Sequence, residues 1–176
     1  MQQVMDSLLL NEDVINLKEI LRTDPMFLQI NQQVPILISE LNSMLSINMP
    51  VLDLNPAAVT LANQWITSLQ ANRDKICQYE ITLRTYEYHI DRYWSLAYNI
   101  CMVQPQIECL KSNDHKKAYI EQIFKEILEM KNYLSISLKK LQIISDNIQQ
   151  AFYSLNAQQK NLQFLATVHK SYGTPN

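Results

Sequence analysis

The sequence predicts an all-α protein built on two very long antiparallel helices, with shorter N-terminal helices packed on them. Its 176 residues contain one glycine, Gly173, whereas strand-rich folds use glycine in their hairpin turns. No proline occurs between Pro56 and Pro105 or from there to position 174. In both stretches apolar residues recur at alternating intervals of four and three, which is typical of a coiled-coil-like hairpin. We expect a single helical domain, 1–176.

Residues 1–54 are predicted to form short helices. Asn11 is followed by two acidic residues, a typical helix start, because its side chain caps free N–H groups and the acids face the positive end of the helix dipole. Asp24 and Pro25 should end that helix and begin the next one. Pro35 is expected to interrupt or kink the second helix. A short apolar helix should then run over 36–47, followed by a connector over 48–54.

The first long helix is predicted over 55–104. Asn55 and Pro56 form the strongest start signal in the chain, and no helix breaker follows before Pro105. Such a helix is about 73 Å long. We call the positions of its four-three rhythm the first seam, and only Asn72 among them is polar: Ala58, Ala62, Trp65, Leu69, Asn72, Ile76, Tyr79, Leu83, Tyr86, Ile90, Tyr93, Ala97 and Ile100.

A corner is predicted over 105–112, a second long helix over 113–170 and a tail over 171–176. A short corner forces the two helices to lie antiparallel. Three polar residues interrupt the second rhythm every 14 positions, either by chance or as layers that fix the register. This second seam comprises Ile120, Phe124, Ile127, Lys131, Leu134, Leu138, Leu141, Ser145, Ile148, Phe152, Leu155, Gln159, Leu162, Ala166 and His169.

No motif indicates catalysis, a cofactor or a metal. Without glycine before position 173, phosphate-binding loops and dinucleotide fingerprints are excluded. No Glu-x-x-His occurs, so a di-iron bundle is not indicated. Three cysteines without a CxxC spacing favour free thiols, although a bridge between Cys101 and Cys109 across the corner is conceivable. We therefore predict a protein that is not an enzyme and takes no small-molecule substrate, with no catalytic, cofactor-binding or metal-binding residues.

Apolar residues outside the seams indicate a surface for other proteins. The N-terminal 54 residues are too few to cover helices about 73 and 87 Å long, and an uncovered apolar patch usually marks a partner site. A tryptophan whose ring edge is exposed to water is a common binding hot spot. We therefore expect Trp94 to contribute most to the binding of a partner. The predicted protein-binding residues are Trp94, Tyr88, Ile81, Leu128 and Ile136, and the partner is another protein or a second copy of the chain.

One stretch resembles a known family. Asn55, Pro56, Ala62, Trp65, Leu69, Ile76, Tyr79 and Tyr93 resemble the first long helix of the haemolysin BL and non-haemolytic enterotoxin components, which are helical pore-forming toxins of the cytolysin A type. The resemblance implies a second antiparallel helix, as predicted from 113, and action at a membrane. The hydrophobic tongue and the later helices of that family have no counterpart in these 176 residues.

Three functions follow as hypotheses. The first is a non-enzymatic adaptor, scaffold, effector or assembly subunit. The second is a component of a pore-forming toxin or other membrane-active protein, implied by the resemblance. The third, a nucleic-acid accessory protein, is disfavoured, because the lysines of the last helix alternate with acids. No signal peptide or membrane-spanning segment is visible, so the expectation is a cytoplasmic protein or one secreted by a signal-independent route.

Overall fold

A computed structural model describes residues 2–45 and 56–172. This part of the chain is all-helical, and it confirms the predicted all-α fold with two very long antiparallel helices. Its elements are α1 (Gln2–Leu9), α2 (Glu12–Thr23), α3 (Pro25–Ser43), α4 (Pro56–Met102), α5 (Pro105–Glu108), α6 (Asn113–Ile123) and α7 (Lys125–Tyr172).

The helices begin where capping side chains are available. Asn11 Oδ1 accepts hydrogen bonds from the backbone N–H groups of Asp13 and Val14, at 3.0 and 3.2 Å. Asp24 Oδ1 accepts the N–H of Phe27 at 2.9 Å, and Pro25 is the first residue of α3. α4 begins at Pro56 as predicted, and the predicted cap at Asn55 lies outside the described residues. These side chains satisfy donors that a helix leaves unpaired at its first turn.

The positions of the two seams match the buried side chains of the long helices. Every seam residue whose side chain is described is buried or partly buried, including the polar positions. Lys131 Nζ lies 2.6 Å from Asp91 Oδ1, and Gln159 Nε2 donates to Asn63 Oδ1 at 2.9 Å. The two pairs are 28 residues apart on each helix, in opposite directions, which is what antiparallel helices require.

The chain divides into two compact units, and the long helices contribute to both. The first comprises Met1–Ser39 and Ile81–Leu138, the second Glu40–Glu80 and Lys139–Asn176. In the first unit α1, which lies within the short helices predicted over 1–54, contacts α2, α5 and α6. The fully buried residues there include Leu8, Val14, Leu17, Ile30, Leu83, Ile90, Ile107, Ile120 and Leu134. In the second unit the core includes Leu41, Ala62, Leu69, Ile76, Leu141, Ile144, Ile148 and Leu155.

The expected interruption at Pro35 is wrong, because α3 is helical through that residue to Ser43. Proline removes one helical hydrogen bond, to the carbonyl of the residue four positions earlier. Pro35 is exposed, whereas Val34 and Leu37 beside it are buried. Packing of the buried side therefore outweighs the local cost, and residues 36–43 of the predicted separate helix over 36–47 continue α3. Residues 46–47 of that predicted helix and the predicted connector over 48–54 lie outside the described residues.

The predicted single helix over 113–170 is also wrong in one respect, since it is divided at Phe124. The backbone of Phe124 has φ −112° and ψ 40°, although its N–H still bonds the carbonyl of Ile120 at 3.0 Å. Its ring is 3% exposed, with Lys18 Nζ 5.9 Å from the ring centre. The helix is therefore broken at a residue whose ring is buried, and no proline or glycine marks this position in the sequence. The predicted corner likewise contains a short helix, α5.

Candidate protein-binding surfaces

The five residues predicted to bind protein differ in exposure. Ile81, Tyr88 and Ile136 are 69%, 60% and 50% exposed, whereas Trp94 and Leu128 are partly buried. All five belong to the first unit. Exposed large apolar side chains of this kind are where a partner gains most from contact.

Ile81 and Tyr88 lie two turns apart on the same side of α4, away from the first seam. The Tyr88 ring packs edge-on against His89, with centroids 5.5 Å apart. The guanidinium carbon of Arg92 lies 5.9 Å from the centre of the same ring. Both ring contacts of Tyr88 come from residues of the same helix, and its outer face is left exposed.

Trp94 and Leu128 lie at one level of the antiparallel pair. Trp94 is three residues after Asp91 on α4, and Leu128 is three residues before Lys131 on α7. The ion pair between Asp91 and Lys131 joins the two helices at 2.6 Å, so equal steps in opposite directions reach the same level. Ile136 is eight residues further along α7, about 12 Å.

A groove that sequence reasoning missed lies between α4 and α7 in the second unit. Its volume is about 350 Å3. Four seam residues form its apolar floor: Leu69, Ile76, Ile148 and Phe152. Polar residues and one tyrosine line the rest of it: Gln70, Arg73, Cys77, Glu80, Ser145, Gln149 and Tyr153. An apolar floor with a polar rim is the usual composition of a surface that receives a helix.

The rim of the groove is accessible and chemically varied, whereas Leu69, Ile76 and Ile148 on its floor are buried. Arg73, Cys77 and Glu80 are exposed, and Tyr153 is 63% exposed. Leu69 and Ile76 of α4 line the groove together with Ile148 and Phe152 of α7. The residues of α4 that flank the first seam at the groove are polar or small, and apolar periodicity does not single them out: Gln70, Arg73, Cys77 and Glu80.

A row of three tyrosines on α4 holds α3 in place. Tyr93 donates its hydroxyl to Asp24 Oδ1 at 2.6 Å, and Tyr79 donates to the carboxylate of Glu40. Between them, Gln29 Nε2 donates to the Tyr86 hydroxyl at 3.4 Å. The tyrosines are seven residues apart, which is about two helical turns. One side of α4 therefore presents a phenol toward α3 at every second turn.

The ionisation of these groups follows from the contacts. The hydroxyl of Tyr93, together with the N–H groups of Phe27 and Met26, lowers the pKa of Asp24 despite its partial burial. Burial, and then the bond to Asp24, raises the pKa of Tyr93. Burial and the bond to Glu40 likewise raise the pKa of Tyr79. In the protonated form these two phenols donate the hydrogen bonds that join α4 to Glu40 of α3 and to Asp24.

A polar network fixes the corner to α2. Gln104 is 7% exposed, and its Oε1 accepts from Asn11 Nδ2 at 2.8 Å. Its Nε2 donates to Asp13 Oδ2 at 3.3 Å and to the carbonyl of Ile100 at 3.1 Å. A buried amide with its partners in place is typical of a residue that specifies one arrangement of helices.

The three cysteines are free thiols. Cys101 is buried, and burial raises its pKa to about 11. Cys77 and Cys109 are exposed. The conceivable bridge between Cys101 and Cys109 is therefore not formed in this structure.

Comparison with family models, curated proteins and solved structures found no match for this chain. Within residues 2–45 and 56–172, no group of histidine, cysteine, aspartate or glutamate side chains could hold a metal ion. In that same part of the chain no helix has the length and apolar character needed to cross a membrane.

Proposed function

We propose that this chain is a non-enzymatic, coiled-coil-like helical protein that acts by binding other proteins or further copies of itself. The groove between α4 and α7 is the observation that carries the proposal. Its floor is made of seam residues from both long helices, of which Leu69, Ile76 and Ile148 are buried and Phe152 is partly buried. A third or fourth helix laid along it would complete the helical packing.

Two features of the groove support a protein partner over a small molecule. It follows the axis of the two helices from Leu69 to Glu80 on α4, a length of about 16 Å, or three turns of a bound helix. Its polar rim presents both charge signs, through Arg73 and Glu80, beside neutral amides. Mixed polar rims around an apolar floor give specificity to protein contacts.

The experiment uses the exposed thiol of Cys77, which lines the groove. The Cys109→Ser chain is labelled at Cys77 with a bulky maleimide, and the Cys77→Ser chain is labelled at Cys109 as the matched control. Association is measured as the mass in solution up to about 100 μM and as capture of proteins from a lysate of the source cells. We expect the label at Cys77 to weaken association strongly and the label at Cys109 to leave it unchanged.

Two results would overturn the proposal. The first is a chain that neither self-associates nor captures any protein under these conditions but releases the contents of lipid vesicles, as the membrane hypothesis expects. The second is association that is equally strong with either label, which would show that binding does not use the groove and would remove the observation that carries the proposal.

A further inference from the structure

The break between α6 and α7 lacks the local cause that other helix boundaries of this chain have. α2 and α3 begin at the capping side chains of Asn11 and Asp24, and α4 and α5 begin at prolines. Phe124 offers no such cap, and residues 113–172 contain neither proline nor glycine. The residues on either side of Phe124 are mostly strong helix formers. The local sequence therefore favours one continuous helix through this position.

The break interrupts the hydrogen bonds of the helix over one turn. The carbonyl of Phe124 accepts the N–H groups of Ile127 and Leu128, at 3.1 and 3.3 Å. In a continuous helix Ile127 would donate to the residue four positions earlier, which is Ile123. The N–H of Lys125, the first residue of α7, makes no backbone bond to α6. A segment that favours a helix gives up these bonds only where packing compensates for them.

The compensating contacts come from α2. Phe124 is 3% exposed, and Lys18 Nζ lies 5.9 Å from the centre of its ring. A small cavity of about 50 Å3 remains between α2 and the break. Three residues of α2 and four residues around the break line it: Lys18, Leu21, Arg22, Ile123, Phe124, Glu126 and Ile127. α2 is therefore the element placed to hold Phe124 out of the helix.

We propose that α2 is a releasable strap, and that α6 and α7 join into one continuous helix from Asn113 when α2 leaves. The four-three rhythm supports the joined state, because Ile120, Phe124 and Ile127 keep the seam spacing through the break. Release would also uncover Ile123 and Ile127, which are 6% and 1% exposed. A partner that bound this apolar surface would favour the released state. The inference does not depend on the groove between α4 and α7.

The first test releases α2 by a change on its buried side. Leu21, which is 5% exposed, is replaced in Leu21→Asp and more mildly in Leu21→Ala, and Ile20→Asp is the matched control because Ile20 is 55% exposed. Nuclear magnetic resonance gives the Cα chemical shift of Phe124, and hydrogen exchange reports the amides of α2 and of Lys125. As the α2 amides lose protection, the Phe124 shift should move downfield into the helical range and the Lys125 amide should exchange more slowly.

The mild variant keeps this test decisive if Leu21→Asp unfolds the first unit, since Leu21→Ala should then show the same changes in part. The control Ile20→Asp should leave Phe124 and Lys125 as they are in the unmodified chain. Phe124 that stays non-helical while the α2 amides exchange freely would overturn the inference, because the break would then belong to the segment itself. Protection of α2 that survives Leu21→Asp would overturn it as well.

The second test asks whether the break exists in solution. Proline is favoured at the first position of a helix, so Lys125→Pro should lower the melting temperature by less than about 3 °C. Lys139→Pro is the control at an exposed position inside α7, where proline removes a helical bond, and it should lower the melting temperature by about 6 to 12 °C. Equal losses in the two variants would show a continuous helix in the unmodified chain and overturn the inference.

Discussion

Tyr93 and Asp24 are joined by a 2.6 Å hydrogen bond from the phenol to Oδ1 of the carboxylate, across 69 residues of sequence. The same oxygen accepts the N–H of Phe27 and so caps α3. The Phe27 ring packs edge-on against that of Tyr93, with centroids 5.5 Å apart. One carboxylate thus begins α3 and fixes its first turn to α4.

Tyr93→Phe should destabilise the first unit by about 1 to 2 kcal/mol, because a hydrogen bond to a charged group is lost while the ring stays in place. Tyr86→Phe is the matched control, since its hydroxyl receives only the 3.4 Å bond from Gln29, and it should cost less than about 0.5 kcal/mol. Urea unfolding followed by circular dichroism gives both values. Equal losses of unfolding free energy in the two variants would mean that the hydrogen bond to Asp24 contributes no more than the hydrogen bond from Gln29.

The carboxylate of Asp24 should make the unfolding free energy depend on pH in the acid range. The pKa of Asp24 is lowered in the folded chain from its ordinary value of 3.8, so the unfolded chain binds a proton more readily than the folded one. The stabilisation is therefore present above pH 3.8 and is lost as the pH falls through the lower folded value. Asp24→Asn removes this contribution at neutral pH.

The measurement is the difference in unfolding free energy between the unmodified chain and Asp24→Asn, taken from about pH 7 to about pH 2. We expect the difference to shrink as the pH falls below 3.8. Thr23→Ala, which alters a neighbouring residue without a charge, should show no such trend. A difference that stays constant over the range would contradict the role given to Asp24.

The predicted parts of the fold are those set by periodicity and local capping. The four-three rhythm identifies the residues that are buried in both long helices, and Asn11 and Asp24 cap helices where the sequence places them. These features depend on neighbours within a few residues, so a single sequence contains them in full.

The unpredicted parts depend on which helices meet. The sequence placed Tyr79, Tyr86 and Tyr93 in the seam but could not name their partners on α3, which are 39 to 69 residues away. The break at Phe124 has no local signal, because burial of its ring is a tertiary event. The groove was missed because its floor consists of seam residues, which the rhythm assigns to the core.

The three thiols should differ in reactivity. Burial raises the pKa of Cys101 to about 11, and the thiolate is the reactive form, so Cys101 should not react at about pH 8 while the chain is folded. Cys77 and Cys109 are exposed and should react promptly. A chromogenic disulfide reagent should therefore count two thiols in the native chain and three in urea. Cys101→Ala should leave the native count at two, and a native count of three in the unmodified chain would show that the first unit opens.

Trp94 provides the test of the surface that the sequence predicted. It is partly buried, its ring centre is 6.4 Å from that of Tyr98, and it belongs to a different unit from the groove. Trp94→Ala should weaken association with a protein partner while lowering the unfolding free energy by less than about 2 kcal/mol, because part of the ring is already in water. Leu83→Ala is the control for a core position, since Leu83 is 0% exposed and its truncation should cost about 2 to 5 kcal/mol.

Thermal melting and capture of the partner are measured on the same samples, with Cys77 left unlabelled. If Trp94→Ala costs as much stability as Leu83→Ala and leaves association unchanged, Trp94 is a core residue and the binding surface lies elsewhere on the long helices.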